Sequence, residues 1–284
     1  MTAILRATIL GCGSSGGVPR VGGPDGAGDW GTCDPSNPKN RRTRCSMLVE
    51  RSDADGAFPR DGITSLIIDT SPDFRAQVLA AEVQHLDGVL ITHDHADQTH
   101  GLDDLRAFAI QQRQRIPVHF SRETADALLT RFGYCFEQPP GSWYPPILEE
   151  VPLPEAGTPL QIEGPSGPVP IIPFLQDHGA VRSHGFRVGD IAYSADVVDL
   201  PEESFAILED LRVWVVDCLQ MKPHGSHAHF EKTMAWIDRV KPKRAILTNL
   251  HVTMDYKAVS DLCPQGVEVA HDGMAVDVPL EGGS

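Results

Sequence analysis

Short apolar runs recur along the chain with turn-forming residues between them: Ile4 to Leu10, Ser65 to Ile68, Val89 to Ile91, Val169 to Phe174, Ile191 to Tyr193, Val213 to Val216 and Ala245 to Leu247. Runs of this length and composition predict buried strands. Helix-like stretches lie between them at Phe74 to Val83, Leu102 to Gln112, Glu123 to Phe132, Phe230 to Val240 and Tyr256 to Leu262. The alternation predicts a mixed α/β chain, and with no internal repeat it reads as one domain over 1–284. Pro and Gly gather in Gly11 to Pro38, Gln138 to Pro146 and Pro152 to Pro168, expected as surface loops over a site rather than linkers. Glu281 to Ser284 reads as a frayed tail.

The polar residues that interrupt this pattern are not scattered. SLIID runs into Asp69, GVLITH into His93, IAYSAD into Asp196, WVVD into Asp217, and AILTNLH into Asn249 and His251. Strands laid side by side bring such ends to one edge, where α/β proteins commonly build sites. Any one Asp is adequately explained as a turn former. Five strand ends together are less easily explained that way.

Composition narrows the function classes. With 41% hydrophobic and 22% charged residues the chain has apolar material for a sizeable core, which excludes disorder. A formal charge of −15 repels a polyphosphate backbone, so bulk nucleic-acid binding is not expected, while a small anionic substrate in a local pocket is allowed. The N-terminus lacks the signature of a signal peptide, and no apolar stretch approaches the ~18 residues of a membrane span. The six cysteines are dispersed without a CxxC pair, which suits a reducing cytoplasm. Expected partners are a small anionic substrate and, among proteins, a second copy of the chain.

The segment from Ile91 to Leu105, ITHDHADQTHGLDDL, carries the densest chemistry. On an extended backbone His93, His95 and Asp97 alternate and point the same way, so they can converge on one ion. Imidazole and carboxylate suit Zn²⁺, Mn²⁺ or Fe²⁺. Further ligands are expected from other strand ends, at His178, at Asp196 as a carboxylate able to bridge two ions, and at Asn249 or His251. Asp69 is a plausible acceptor for the ring N–H of a ligand histidine.

This constellation resembles the metallo-β-lactamase superfamily over nearly the whole chain. The family's HxHxDH motif, followed by Gly-Leu, is matched by His93, His95, Asp97 and Gly101-Leu102; its later lone His, strand-end Asp and strand-end His look like His178, Asp196 and the LTN segment. The nearest likeness is to the phosphodiesterase branch, through GCGSSGGVP, RRTRCS, VVDC, SHAHFEKT and HDGM. The resemblance implies an αββα metallo-β-lactamase sandwich with a dinuclear Zn²⁺ or Mn²⁺ hydrolytic centre, Asp97 taking part in catalysis. It implies cleavage of a small phosphodiester, cyclic nucleotide-like or a cyclic sugar phosphate, by cation-activated water, with His227 as proton donor or phosphate ligand. Two positions depart from the family pattern, Gln98 and Asn249, both at ligands of the second ion. Their amide oxygens, or the histidines two residues on, His100 and His251, are candidates to rebuild that site, His251 ahead of His100.

Other candidates are weaker. His229 falls at a helix N-cap, with a lesser claim to substrate contact. Arg44, Asp73 and Arg75 are expected as surface charge with an alternative role at a phosphate. GCGSSG is formally GxGxxG, but the Pro and Gly that follow forbid the helix a dinucleotide needs. Only Cys33 and Cys45 remain of the branch's cysteine cluster, so no separate structural zinc is expected. Thioester or lactone hydrolysis, and a cofactor-biosynthesis or binding role like that of the pyrroloquinoline quinone B proteins, are the rival readings.

Overall fold

The structure, a computed structural model, describes residues 2–53, 57–59 and 62–280; the C-terminal tail named above lies outside them. Six strands open the chain: β1 (Ile4–Gly11), β2 (Ser46–Ser52), β3 (Thr64–Ile68), β4 (Gly88–Leu90), β5 (Ile116–Phe120) and β6 (Leu148–Pro152). Seven more follow: β7 (Leu160–Ile162), β8 (Val169–His178), β9 (Val181–Val188), β10 (Ile191–Ser194), β11 (Val213–Asp217), β12 (Arg244–Thr248) and β13 (Val267–Val269). The last strand, β14 (Met274–Pro279), returns to pair with β1, so the strand orders are β14-β1-β2-β3-β4-β5-β6 and β13-β12-β11-β10-β9-β8-β7. Helices α1 (Phe74–Ala80), α2 (Ala96–Thr99), α3 (Arg106–Gln112) and α4 (Arg122–Phe136) accompany the first sheet, and α5 (Glu202–Ile207), α6 (Phe230–Val240) and α7 (Tyr256–Ser260) the second.

Period-two alternation sorts the strand residues between two cores. Met47, Val49, Leu66 and Ile68 point at the second sheet and meet Phe174, Tyr193, Val215 and Ile246. Their neighbours Leu48, Ile67 and Val89 point the other way, onto Phe74, Phe108 and Leu128 of the covering helices. Helix, sheet, sheet and helix are therefore stacked as the αββα sandwich that was expected. The strands the apolar runs do not reveal include those with a wet face or a polar edge, such as β14 (MAVDVP), where alternate residues are exposed, and β6 (LEEVP), where Glu149, Glu150 and Pro152 are exposed. None of the helices is long and apolar enough to cross a membrane among the described residues.

Parallel pairing runs from β3 to β6 and from β10 to β13, so the carboxyl ends of these strands share an edge in each sheet. The chain leaves three of them through a left-handed residue, Asp69 (φ 64°), Asp196 (φ 53°) and Asn249 (φ 61°). Non-glycine residues are uncommon in that region, and Asp and Asn are the side chains that tolerate it best. One loop expectation is corrected. The Pro152–Pro168 stretch runs to the opposite edge, where Ser166 bonds Thr64 at the start of β3. The GCGSSG loop does lie at the site edge: Gly13 bridges both Arg44 and Leu250. A Cβ at Gly11 would fall 2.1 Å from the Arg44 carbonyl oxygen, so the glycine is required by a close backbone approach.

Candidate metal centre

His93 and His95 leave the end of β4, and His178 ends β8 in the facing sheet. Their rings meet edge to face with centroids 4.5, 5.0 and 5.1 Å apart. One ring nitrogen from each falls within 4.8 Å of the others, and Nε2 of His178 lies 3.3 Å from Nδ1 of His95. Ligand nitrogens about 2.05 Å from a tetrahedral ion stand about 3.3 Å apart, so the pair is spaced as zinc requires.

Two of the three rings are oriented by their other nitrogen. His178 donates from Nδ1 to the Ser226 carbonyl at 2.7 Å, which leaves Nε2 as a lone pair toward the centre. His93 donates from Nδ1 to the Thr92 hydroxyl at 2.9 Å, and that hydroxyl donates to the Asp69 carboxylate. Asp69 therefore acts on His93 through Thr92, where direct contact was expected. Nε2 of His93 is buried with no hydrogen-bond partner, and burial holds the imidazole down to about 3, hence neutral. An orphaned, neutral imidazole nitrogen in the interior fits a bound cation.

A second group of metal-capable atoms shares His178 and adds Asp196 and His227. The Asp196 carboxylate lies 3.9 Å from His178 Nε2 and 3.8 Å from His227 Nδ1. Burial opposes its charge, but His93, His227, His178 and the Gln98 amide together bring its carboxyl below the ordinary range. The two groups fit a binuclear Zn²⁺ or Mn²⁺ centre.

His227 is seated by a residue the sequence marked only as a strand end. Its Nδ1 donates to Asp217 Oδ2 at 2.9 Å, and its ring stands 4.7 Å from that of His178. Burial pulls its basicity down, but the Asp217 hydrogen bond and the charges of Asp217, Asp196 and Asp97 bring it to about 9. Asp97 departs from expectation. The backbone turns into α2 at Ala96, so Asp97 lies in the first turn of a helix rather than alternating with the histidines, and it is outside both metal-capable groups. Burial and repulsion from Asp196 raise its carboxyl to about 6.

The remaining candidates separate cleanly. Gln98 and Asn249 are both in the centre, their amide nitrogens on Asp196 at 2.5 and 3.4 Å. His251 is not, contrary to its expected place as a ligand: Leu219 draws its backbone away and its Nδ1 engages the Thr253 hydroxyl at 2.9 Å. His100 is exposed and lies against the Phe132 ring. His229 occupies the N-cap of α6 without a side-chain capping bond. Arg44 is paired with Asp73 at 2.9 Å, and Arg75 is exposed on α1. Sequence reasoning missed Thr92 and the Ser226 carbonyl; the ITH tripeptide was the available signal for the first, whereas a backbone carbonyl leaves none.

Residues 64–249, from the start of β3 to the left-handed Asn249, match the Beta-lactamase superfamily domain. The chain belongs to this superfamily. Within it the likeness is to the PhnP family: a diphosphatase of that family is 28% identical, covers 99% of both chains and superposes with a TM-score of 0.83. Zinc-bound PqqB of Methylobacterium extorquens is 16% identical over 96% of this chain and all of its own (100%), with a TM-score of 0.68, and shares the fold. An octanoyltransferase of Porphyromonas gingivalis is 28% identical over 282 residues, 98% of this chain. This superfamily member spans about half the length of that relative, 52%.

Proposed function

We propose that the chain is a metal-dependent hydrolase of a small phosphodiester. The observation that carries this reading is the His227–Asp217 pair set against three convergent imidazoles and Asp196. His93, His95, His178 and Asp196 would hold the ions, with Asp97 outside that set but near enough to Asp196 for their charges to repel. Bound divalent cations would supply Lewis-acid stabilisation of phosphoryl charge and lower the pKa of water. With Nδ1 engaged by Asp217, His227 keeps a proton on Nε2 for a leaving alkoxide. The end-to-end likeness to a PhnP-family diphosphatase supports phosphorus as the electrophile and a compact, anionic substrate. The free cysteines suit a reducing cytoplasm.

A second reading, hydrolysis of an acyl thioester, is kept beside it because the chain is similar to about half of an octanoyltransferase, a protein that handles an acyl group. The two separate in one assay. Protein reloaded with Zn²⁺ or Mn²⁺ is expected to turn over bis(p-nitrophenyl) phosphate and to be silenced by chelation. Turnover of octanoyl-coenzyme A, with none of the phosphodiester under either metal, would overturn the first reading in favour of the second.

A further inference from the structure

Of the three imidazoles that converge, His95 is the one without an orienting hydrogen bond among the described residues; its Nδ1 faces Nε2 of His178 at 3.3 Å. His93 is held through Thr92 and His178 through the Ser226 carbonyl. A ring with no such partner is only as well placed as the main chain that carries it. That main chain is gripped from outside the segment. Arg131, in α4, donates from Nη1 to the carbonyl oxygen of Asp94 and from Nη2, at 3.3 Å, to the Asp94 carboxylate. Asp94 is the residue between His93 and His95. With side chains 41% and 29% exposed, the ion pair by itself contributes little. The bond to the carbonyl differs, because it fixes main chain rather than a second mobile side chain.

The helix that presents Arg131 is anchored at both ends. Its Ser121 cap accepts from the Thr124 N–H at 3.2 Å, and the Cys135 carbonyl accepts from the Ile147 N–H at 2.9 Å, just before β6. Between these anchors α4 loses helical geometry at Phe132 (φ −125°, ψ 19°), the residue after Arg131. Phe132 packs edge to face on His100, with centroids 5.6 Å apart. The kink thus lies where α4 meets both ends of the ligand-bearing segment, through Arg131 at Asp94 and Phe132 at His100.

We propose that Arg131 is a positioning residue for the metal centre: it fixes the main chain at Asp94 and so sets the ring of His95 against those of His93 and His178. The assignment rests on reading those three histidines as a metal position and deepens it.

The test compares the full chain with Arg131→Met, which keeps the aliphatic stem and removes every donor, and Arg131→Lys, which keeps a donor for the carbonyl. Zn²⁺ affinity is read by competition with a chromophoric chelator, stability by denaturant unfolding of the metal-free proteins, and the imidazoles by histidine-selective ¹⁵N NMR. Arg131→Met is expected to bind Zn²⁺ about tenfold more weakly, the lower end of the effect of losing an orienting partner. Its metal-free unfolding midpoint is expected to be unchanged, and its His95 resonances to shift more than those of His93 and His178. Arg131→Lys is expected to regain most of the lost affinity. Zn²⁺ bound equally by all three proteins, a loss that lysine does not restore, or a loss that tracks a lower metal-free midpoint would each overturn the proposal. A chain that holds no Zn²⁺ overturns the metal position and the proposal together. Phosphodiester turnover is decided separately: Zn²⁺ binding as expected without turnover sinks the proposed function and leaves Arg131 in its role.

Discussion

Thr92 shows how much a single side chain can carry. Its hydroxyl and backbone N–H both donate to Asp69, a carboxylate buried at 0% exposure, while the hydroxyl also accepts from His93. Thr92→Val keeps the shape and removes that link. It is expected to weaken metal binding by about 10–100-fold, the usual effect of losing an orienting partner, and to destabilise the fold by about 1–3 kcal/mol because Asp69 loses a donor in the interior. Competition with a chromophoric chelator and denaturant unfolding check the two halves. His95→Ala should go further and empty the position formed by His93, His95 and His178, with the sheet intact by circular dichroism; full retention of metal would sink the assignment. For His227→Gln, the expectation is unchanged metal content with kcat lower by about 10²–10⁴, the range for a general acid.

At the scale of the element, the hairpin β8–β9 delivers His178, and its geometry depends on Gly185. A Cβ there would lie 2.2 Å from the Phe174 ring and 2.6 Å from Gln176 Oε1. Gly185→Ala must displace a buried aromatic and is expected to cost about 1–3 kcal/mol, the range of overpacking, with metal affinity falling as His178 shifts. A wild-type unfolding midpoint in this variant would show that the strand pair yields more easily than its packing implies. The elements also show what periodicity could and could not reveal. α6 spans Phe230–Val240 as its sequence pattern predicts, because a helix with one apolar face carries its own signature. α2 was not legible: in four residues, Ala96–Thr99, local spacing said extended backbone, and only the Thr70–Gln98 and Gly101–Thr70 backbone bonds to the β3 exit make it helical.

For the molecule as a whole, acid stability is the measurable property the fold adds. His119, in β5, is 9% exposed, and burial alone brings its imidazole down to about 4. The folded state keeps it neutral while the unfolded chain takes up a proton below its ordinary value of about 6.5, so stability falls as pH drops from about 6.5 to about 4. The loss attributable to His119 over that window is about 3 kcal/mol. His119→Leu should flatten this limb of the stability curve measured by denaturant midpoint against pH; an unchanged slope would mean the site is wetter than its burial implies. Burial lowers His184 in the same direction, so a residual slope is expected.

The amino-acid sequence by itself determined the alternation of strands and helices, the strand ends that bear candidate ligands, and the choice of His93, His95, His178 and Asp196 as candidates for one centre, because each is local information: hydrophobic period, turn chemistry and residue type at short spacing. Which of two nearby candidates faces inward was not local. His251 and Asn249 are two residues apart at the end of β12, and the left-handed turn at Asn249 sends one amide onto Asp196 and the other side chain out to Thr253. The seating of His227 on Asp217, the relay through Thr92 and the orphaned nitrogen of His93 likewise exist only because two sheets, far apart in sequence, close face to face and decide which polar atoms find partners in the interior.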